Sequence, residues 1–194
     1  MKKLTRSDIL SLERYAAERS GFRSRVIAHK KARSIALGQH ATLLFEDRLT
    51  VQYQVQEILR IERIFEAGGI QEELDAYNPL IPDGNNLKAT MLFEFPDASR
   101  RVERLSRLGG IEHRVYAQVQ GHARVFAHAD EDLERSQGSK TSAVHFLRFE
   151  FPSAAIQSLR AGAEFTLGVE DARLPESVRV SNESLAALIG DFHA

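Results

Sequence analysis

The sequence contains no cysteine, and that absence excludes more chemistry than any single residue present establishes. Disulfides, thiolate zinc sites, cysteine-ligated iron–sulfur clusters and thiol redox catalysis are ruled out, so any divalent metal here must be held by His, Asp or Glu. No apolar run approaches the roughly 18 residues that a membrane-spanning helix needs. The start, Met1-Lys2-Lys3-Leu4-Thr5, goes straight into helix-capping residues without the apolar core of a signal peptide, which predicts a cytoplasmic protein with no membrane partner. Also missing are a glycine-rich phosphate loop, a His-Glu-x-x-His pair, a nucleophile elbow and an RNA-binding signature.

What is there is ordinary in bulk: 194 residues, 43% hydrophobic and 27% charged, enough for one α+β domain with a sizeable core. The formal net charge of −1 argues against a chain devoted to nucleic acid, but it hides segregation. Arg19, Arg23, Arg25, Lys30, Lys31 and Arg33 crowd one stretch. Acids gather elsewhere, at Glu72, Glu73 and Asp75 and again at Asp130, Glu131, Asp132 and Glu134.

One phrase occurs twice. Phe93-Glu94-Phe95-Pro96 returns as Phe149-Glu150-Phe151-Pro152, each time followed by a helix-like segment and a glycine. The first copy reads as a strand over 87–95, a helix over 97–108, a stop at Gly109-Gly110 and a strand over 111–119. The second reads as a strand over 141–151, a helix over 153–160, a stop at Gly162 and a strand over 164–169. Side chains two apart share a strand face, so the four phenylalanines should be buried and Glu94 and Glu150 should point away.

Ahead of these units, 1–78 reads as a helical and hairpin front region. Thr5 with Asp8 three residues on predicts a helix over about 6–19, with Leu4 and Ile9 as its hydrophobic staple. Segments 33–37 and 41–45 read as strands flanking Gly38-Gln39-His40. Thr50 to Phe65 reads as a helix capped by Thr50 and closed by Gly68-Gly69, and 78–86 as a loop. A terminal helix follows over 181–192. The expected fold is a single α+β domain, an antiparallel or mixed sheet with packed helices, containing a strand-helix-strand duplication over 87–119 and 141–170.

Several residues are candidates for chemistry. On a helical wheel Glu62 falls between Val51 and Val55 on the apolar arc of the 50–65 helix, where a carboxylate needs a cation, hydrogen bonds or a metal. His145 shares a buried strand face with Ala143, Leu147, Phe149 and Phe151; such a histidine is more often a hydrogen-bonded core residue than a ligand. If Gln120-Gly121 is a two-residue hairpin turn, His113 faces His128 and the pair could share a metal, with Asp130 offering an oxygen. The 97–108 helix turns Val102, Leu105 and Leu108 inward and Arg100, Arg104 and Arg107 outward. That basic back, with Arg23, Arg25, Lys30 and Lys31, offers a surface for an acidic partner or an anion, although Glu103 partly neutralises it.

The run from Phe45 to Ile64 (Phe-Glu-Asp-Arg-Leu-Thr-Val-Gln-Tyr-Gln-Val-Gln-Glu-Ile-Leu-Arg-Ile-Glu-Arg-Ile), with Glu73-Leu74-Asp75-Ala76-Tyr77-Asn78 and Ser142-Ala143-Val144-His145-Phe146-Leu147-Arg148-Phe149, resembles a bacterial family known only as domain of unknown function 3501. The likeness covers nearly the whole chain. It implies genes encoded near rubrerythrin-like and iron–sulfur proteins, hence a role beside a redox or oxidative-stress system, and it assigns no functional residue. The resulting expectation is a noncatalytic accessory protein that binds a redox partner. A small metal-dependent enzyme with His and Glu ligands is the alternative, and a nucleic-acid or anion binder the third.

Overall fold

Phe93, Phe149, Phe151 and Phe165 meet in one apolar core between two antiparallel sheets, and the strand faces follow from the alternation of the sequence. The fold is that of a computed structural model, which describes residues 1–133, 135–136 and 138–192. Glu134, counted above in the acidic run, lies outside the described residues. Among the described residues the first sheet has the order β1 (Ser34–Leu37), β2 (Ala41–Phe45), β3 (Asn86–Phe93), β7 (Val144–Glu150), β6 (His128–Ala129). The second has the order β5 (Val125–Phe126), β4 (Val115–Val119), β8 (Phe165–Val169), β9 (Ser177–Arg179). The fold is α+β, with every pairing antiparallel.

The strands that begin the two similar runs, β3 and β7, are neighbours, with Leu87 opposite Phe149 and Met91 opposite His145. The strands that end them, β4 and β8, are neighbours in the other sheet. As the alternation requires, Phe93, Phe95, Phe149 and Phe151 are buried while Glu94 and Glu150 are exposed. The connecting helices are α4 (Ala98–Leu105) and α5 (Ser153–Arg160). Leu105 and Leu108 pack inward from α4, but Val102 is 68% exposed: α4 is short, and only its C-terminal end reaches the core.

The other face of the first sheet is polar. Lys88 and Thr90 on β3 are buried against the front region, where Lys88 Nζ donates to the Pro79 and Ile81 carbonyls and Thr90 donates to Glu46. The front region holds α1 (Leu12–Lys31), α2 (Arg48–Glu62) and α3 (Ala67–Tyr77), with an apolar cluster of Leu4, Val51, Val55, Leu59, Leu74 and Ile81. Glu57 of α2 ties α1 down by accepting from Tyr15 Oη at 2.6 Å and pairing with Arg19 at 2.8 Å.

Three expectations for this region are corrected. The Thr5–Asp8 capping box forms, but it closes a single 3-10 turn; the long helix starts after Ser11, whose side chain accepts the Arg14 amide. Asp47, not Thr50, caps α2, the two exchanging backbone-to-side-chain bonds of 2.9 Å. That helix stops at Arg63, which adopts the left-handed conformation at φ 57°, so Gly68 and Gly69 fall inside α3 instead of ending α2. At the last helix, α6 (Asn182–Ile189), Ser181 is the cap.

Candidate metal centre

Four segments converge on His145. Glu112 comes from the 3-10 turn Ile111–Arg114 that precedes β4, Asp130 from the residue after β6, Thr141 from the approach to β7, and His145 from β7 itself. The Leu105 carbonyl accepts the Thr141 amide at 3.0 Å and the Ser139 carbonyl accepts the Gly109 amide at 2.7 Å, so the end of α4 fixes where Thr141 lies. A side chain on Gly109 would run into the Gly138 and Ser139 backbone. Asp130 sits in the left-handed region at φ 52°, which turns its carboxylate back toward β7, where Oδ1 accepts the Phe146 amide at 3.0 Å.

His145 is fully buried, and Glu112 and Thr141 are each 2% exposed. The imidazole Nδ1 lies 2.6 Å from Asp130 Oδ2 and Nε2 lies 2.7 Å from Thr141 Oγ1. One ligand atom from each of Glu112, Asp130 and His145 lies within 4.8 Å of the others. Thr141 Oγ1 also approaches Glu112 Oε2 at 3.4 Å. His145 Nε2 also lies 3.2 Å from the Ser142 carbonyl, and the Ser136 hydroxyl lies 3.0 Å from Thr141 Oγ1. Asp130 is offset by Arg135 at 3.2 Å; among the described residues the only ion-pair partner of Glu112 is the exposed His113, at 3.6 Å. Arg135 thus pairs with Asp130 and not with Glu112, and a buried carboxylate without a close counter-charge is expensive.

On the far side of β7 lies a groove of about 1160 Å³ between the first sheet and the front region, walled by Lys3, Asp83, Lys88, Glu131, Arg148 and Glu150. Its charges are mutually paired: Arg148 chelates Glu131 and reaches Glu150 at 2.8 Å, and Lys88 meets Asp83 at 3.2 Å. Burial lowers the Lys88 pKa, with Asp83 countering it. Asp83, although burial opposes it, is held at about 2 by Asn86, Lys88 and Lys3.

Of the residues expected to carry chemistry, His145 and Asp130 stand in this cluster. The His113–His128 pair does not form. The β4–β5 register sets Ala117 opposite Val125, one residue later than the two-residue turn requires, and the chain then crosses sheets, so that β6 pairs with β7 and His128 lies opposite Arg148. His113 remains on the rim beside Glu112. Glu62 is exposed in the last turn of α2, as is Ile61 at 64%; the face that α2 buries between α1 and α3 runs through Val51, Val55, Gln56 and Leu59 and stops short of that turn. Arg100, Arg104 and Arg107 are exposed, Arg100 paired with Asp97, Arg107 with Glu103, and Arg104 lying over Phe95. Arg23, Arg25, Lys30 and Lys31 lie along α1, with Arg25 over Phe22 and Lys30 over Tyr53. Glu112 was not legible, because an extended strand over 111–119 puts it on the outer face and only the 3-10 turn brings both Ile111 and Glu112 inside; Thr141 shares the phase of Ala143 and His145 in a strand over 141–151, a signal that could have found it.

No helix among the described residues is long and apolar enough to cross a membrane. A crystal structure of a protein of unknown function from Burkholderia pseudomallei matches with a TM-score of 0.94 and 49% identity, covering 99% of this chain and 100% of that one. No curated protein matches the sequence. The family model described as "Protein of unknown function (DUF3501)" matches residues 3–192, and the chain belongs to that family.

Proposed function

We propose that this protein binds one divalent metal ion through Glu112, Asp130 and His145, and that it serves as a noncatalytic accessory protein of a redox or oxidative-stress system. The observation that carries the metal is the cluster itself: one ligand atom from each of Glu112, Asp130 and His145 lies within 4.8 Å of the others, and all three side chains are at most 5% exposed. Oxygen and nitrogen ligands without thiolate suit iron, manganese or zinc. The burial of Glu112 and His145 favours a held ion over a catalytic one, because catalytic metal sites keep a position open to substrate. The redox setting rests on the family resemblance, and the partner it suggests is a rubrerythrin-like or iron–sulfur protein. The exposed α4 surface, with Arg100, Arg104, Arg107 and the apolar Val102, is suited to an acidic partner because charge steers association while an apolar centre holds it.

Metal analysis of protein purified without a histidine tag tests the first part. The expected result is about one divalent ion per chain, lost in His145→Ala while the circular dichroism of the fold is retained. Protein that carries no ion and gains no thermal stability from added Mn2+, Zn2+ or Fe2+ overturns it, since a ligand that binds the native state must raise its stability. For the partner, a pull-down from the host at low salt should recover a redox protein with wild type and lose it when Arg100 and Arg107 are changed to Glu. Recovery of no redox protein removes that part of the reading.

A further inference from the structure

Arg135 stands between the groove and the cluster. Its Nη1 is 3.2 Å from Asp130 Oδ1 on the buried side, while on the groove side the same guanidinium grips Asp132 at 2.6 and 2.7 Å and donates to the Leu133 carbonyl at 2.9 Å. It lies over the Phe146 ring at 4.7 Å, and Phe146, Asp132 and Arg135 all line the groove. The side chain is 17% exposed, against 5% for Asp130 and 57% for Asp132. A solute moving inward from the groove therefore meets Asp132 first, then the guanidinium, then Asp130.

We propose that Arg135 is a displaceable counter-ion and the gate of the metal centre. The inference rests on the metal reading above and adds the route and the competitor. A guanidinium is a permanent cation, and here it supplies the positive charge that Asp130 lacks when no metal is bound. A divalent cation entering from the groove reaches Asp130 only when Arg135 lets go of it. The outer carboxylate, Asp132, holds the guanidinium as it swings outward, so no bare charge is created at any point. Metal affinity is then a difference between two cations competing for Asp130, and the association rate is set by how readily Arg135 gives up its 3.2 Å contact with Asp130 while keeping its hold on Asp132. A purely structural Arg135 has the opposite consequence, because removing it would loosen the cluster and weaken metal binding.

Two substitutions separate these outcomes by sign. The apo protein, Arg135→Gln and Asp132→Asn are titrated with Mn2+ and with Zn2+, and association is followed by stopped flow. Arg135→Gln should bind tighter by about tenfold and faster, since a positive charge beside the ligand has been removed. Asp132→Asn should bind more slowly, because the guanidinium loses its outer resting place. Arg135→Gln that folds and binds unchanged or more weakly, with wild-type binding intact, overturns the gate and leaves the metal centre standing. If Arg135→Gln does not fold, an unchanged association rate in Asp132→Asn overturns the gate. If wild type and both variants take up neither ion, the metal reading fails and the gate fails with it.

Discussion

Replacing Asp191 by Asn should make the protein relatively more stable as the pH rises, the reverse of what removing a carboxylate from an ordinary salt bridge does. Asp191 follows α6 and is 1% exposed. It pairs with Arg33, itself buried, whose guanidinium also reaches Asp47 at 3.6 Å and donates to the carbonyls of Ala187 and Glu46. His29 Nε2 closes the group at 2.5 Å from Asp47. Two carboxylates thus draw on one buried guanidinium. Burial raises the Asp191 pKa, Arg33 pulls it down, and Asp47 adds to the rise, leaving it at about 6 against an ordinary 3.8. Burial also raises Asp47, but Arg33, the Thr50 amide and His29 outweigh it and leave its pKa lowered. Because the folded pKa of Asp191 exceeds the unfolded one, the native state binds the extra proton between the two values. Its contribution is most favourable below about pH 4 and declines as the pH rises through about 6. The gap between 3.8 and about 6, at about 1.4 kcal/mol per pH unit, comes to about 3 kcal/mol. Denaturant unfolding of wild type and Asp191→Asn at pH 4, 5, 6 and 7 measures this, since titrations away from the Arg33 group are common to both and cancel in the difference. The difference should move by about 2.4 kcal/mol in favour of the variant between pH 4 and pH 7, the rest of the span lying outside that window. A flat difference, or one that moves the other way, would refute the argument and place Asp191 with carboxylates that Arg33 simply stabilises.

Glu57 should behave in the opposite sense. Arg19, Tyr15 and Arg60 bring its pKa down to about 2 against the opposing effect of burial, so its contribution is present above about pH 4.5 and fades as the pH falls toward 2. Glu57→Gln should cost about 1–3 kcal/mol at pH 7, with a penalty that shrinks in acid; a penalty constant from pH 7 to pH 3 would contradict the assignment. Phe151 packs edge-on against Phe165 and Phe192, at 6.0 and 5.4 Å between ring centres, so Phe151→Ala should cost about 3–5 kcal/mol in chemical unfolding. A loss under about 1 kcal/mol would place it outside the core.

The parts of the fold that a local pattern dictates were legible in the sequence. The hairpin around Gly38 at φ 65°, the inward phenylalanines of both Phe-Glu-Phe-Pro runs and the helix Ser153–Arg160 all follow from alternation, turn chemistry and capping. What escaped depended on partners distant in sequence. Arg63 takes a conformation that glycine usually fills, so nothing in the residue type marks the end of α2. Gly21 sits inside α1, where glycine costs about 1 kcal/mol relative to alanine, and the helix continues because Tyr15, Phe22 and Val26 are buried in a cluster that also takes in Leu49 and Tyr53. Half of the candidate centre was readable, His145 from its strand phase and Asp130 as a possible oxygen ligand. Glu112 was not, because a 3-10 turn brings it in.

The most direct test of the metal centre is anomalous scattering from crystals of the full chain loaded with zinc, recorded on both sides of the zinc absorption edge. The expected result is one strong peak inside the fold, roughly 2.0–2.2 Å from the carboxylate oxygens of Glu112 and Asp130 and from a ring nitrogen of His145, with Arg135 withdrawn from Asp130 and still held by Asp132. A structure from zinc-loaded crystals in which these side chains keep their hydrogen bonds and no peak lies among them would contradict it.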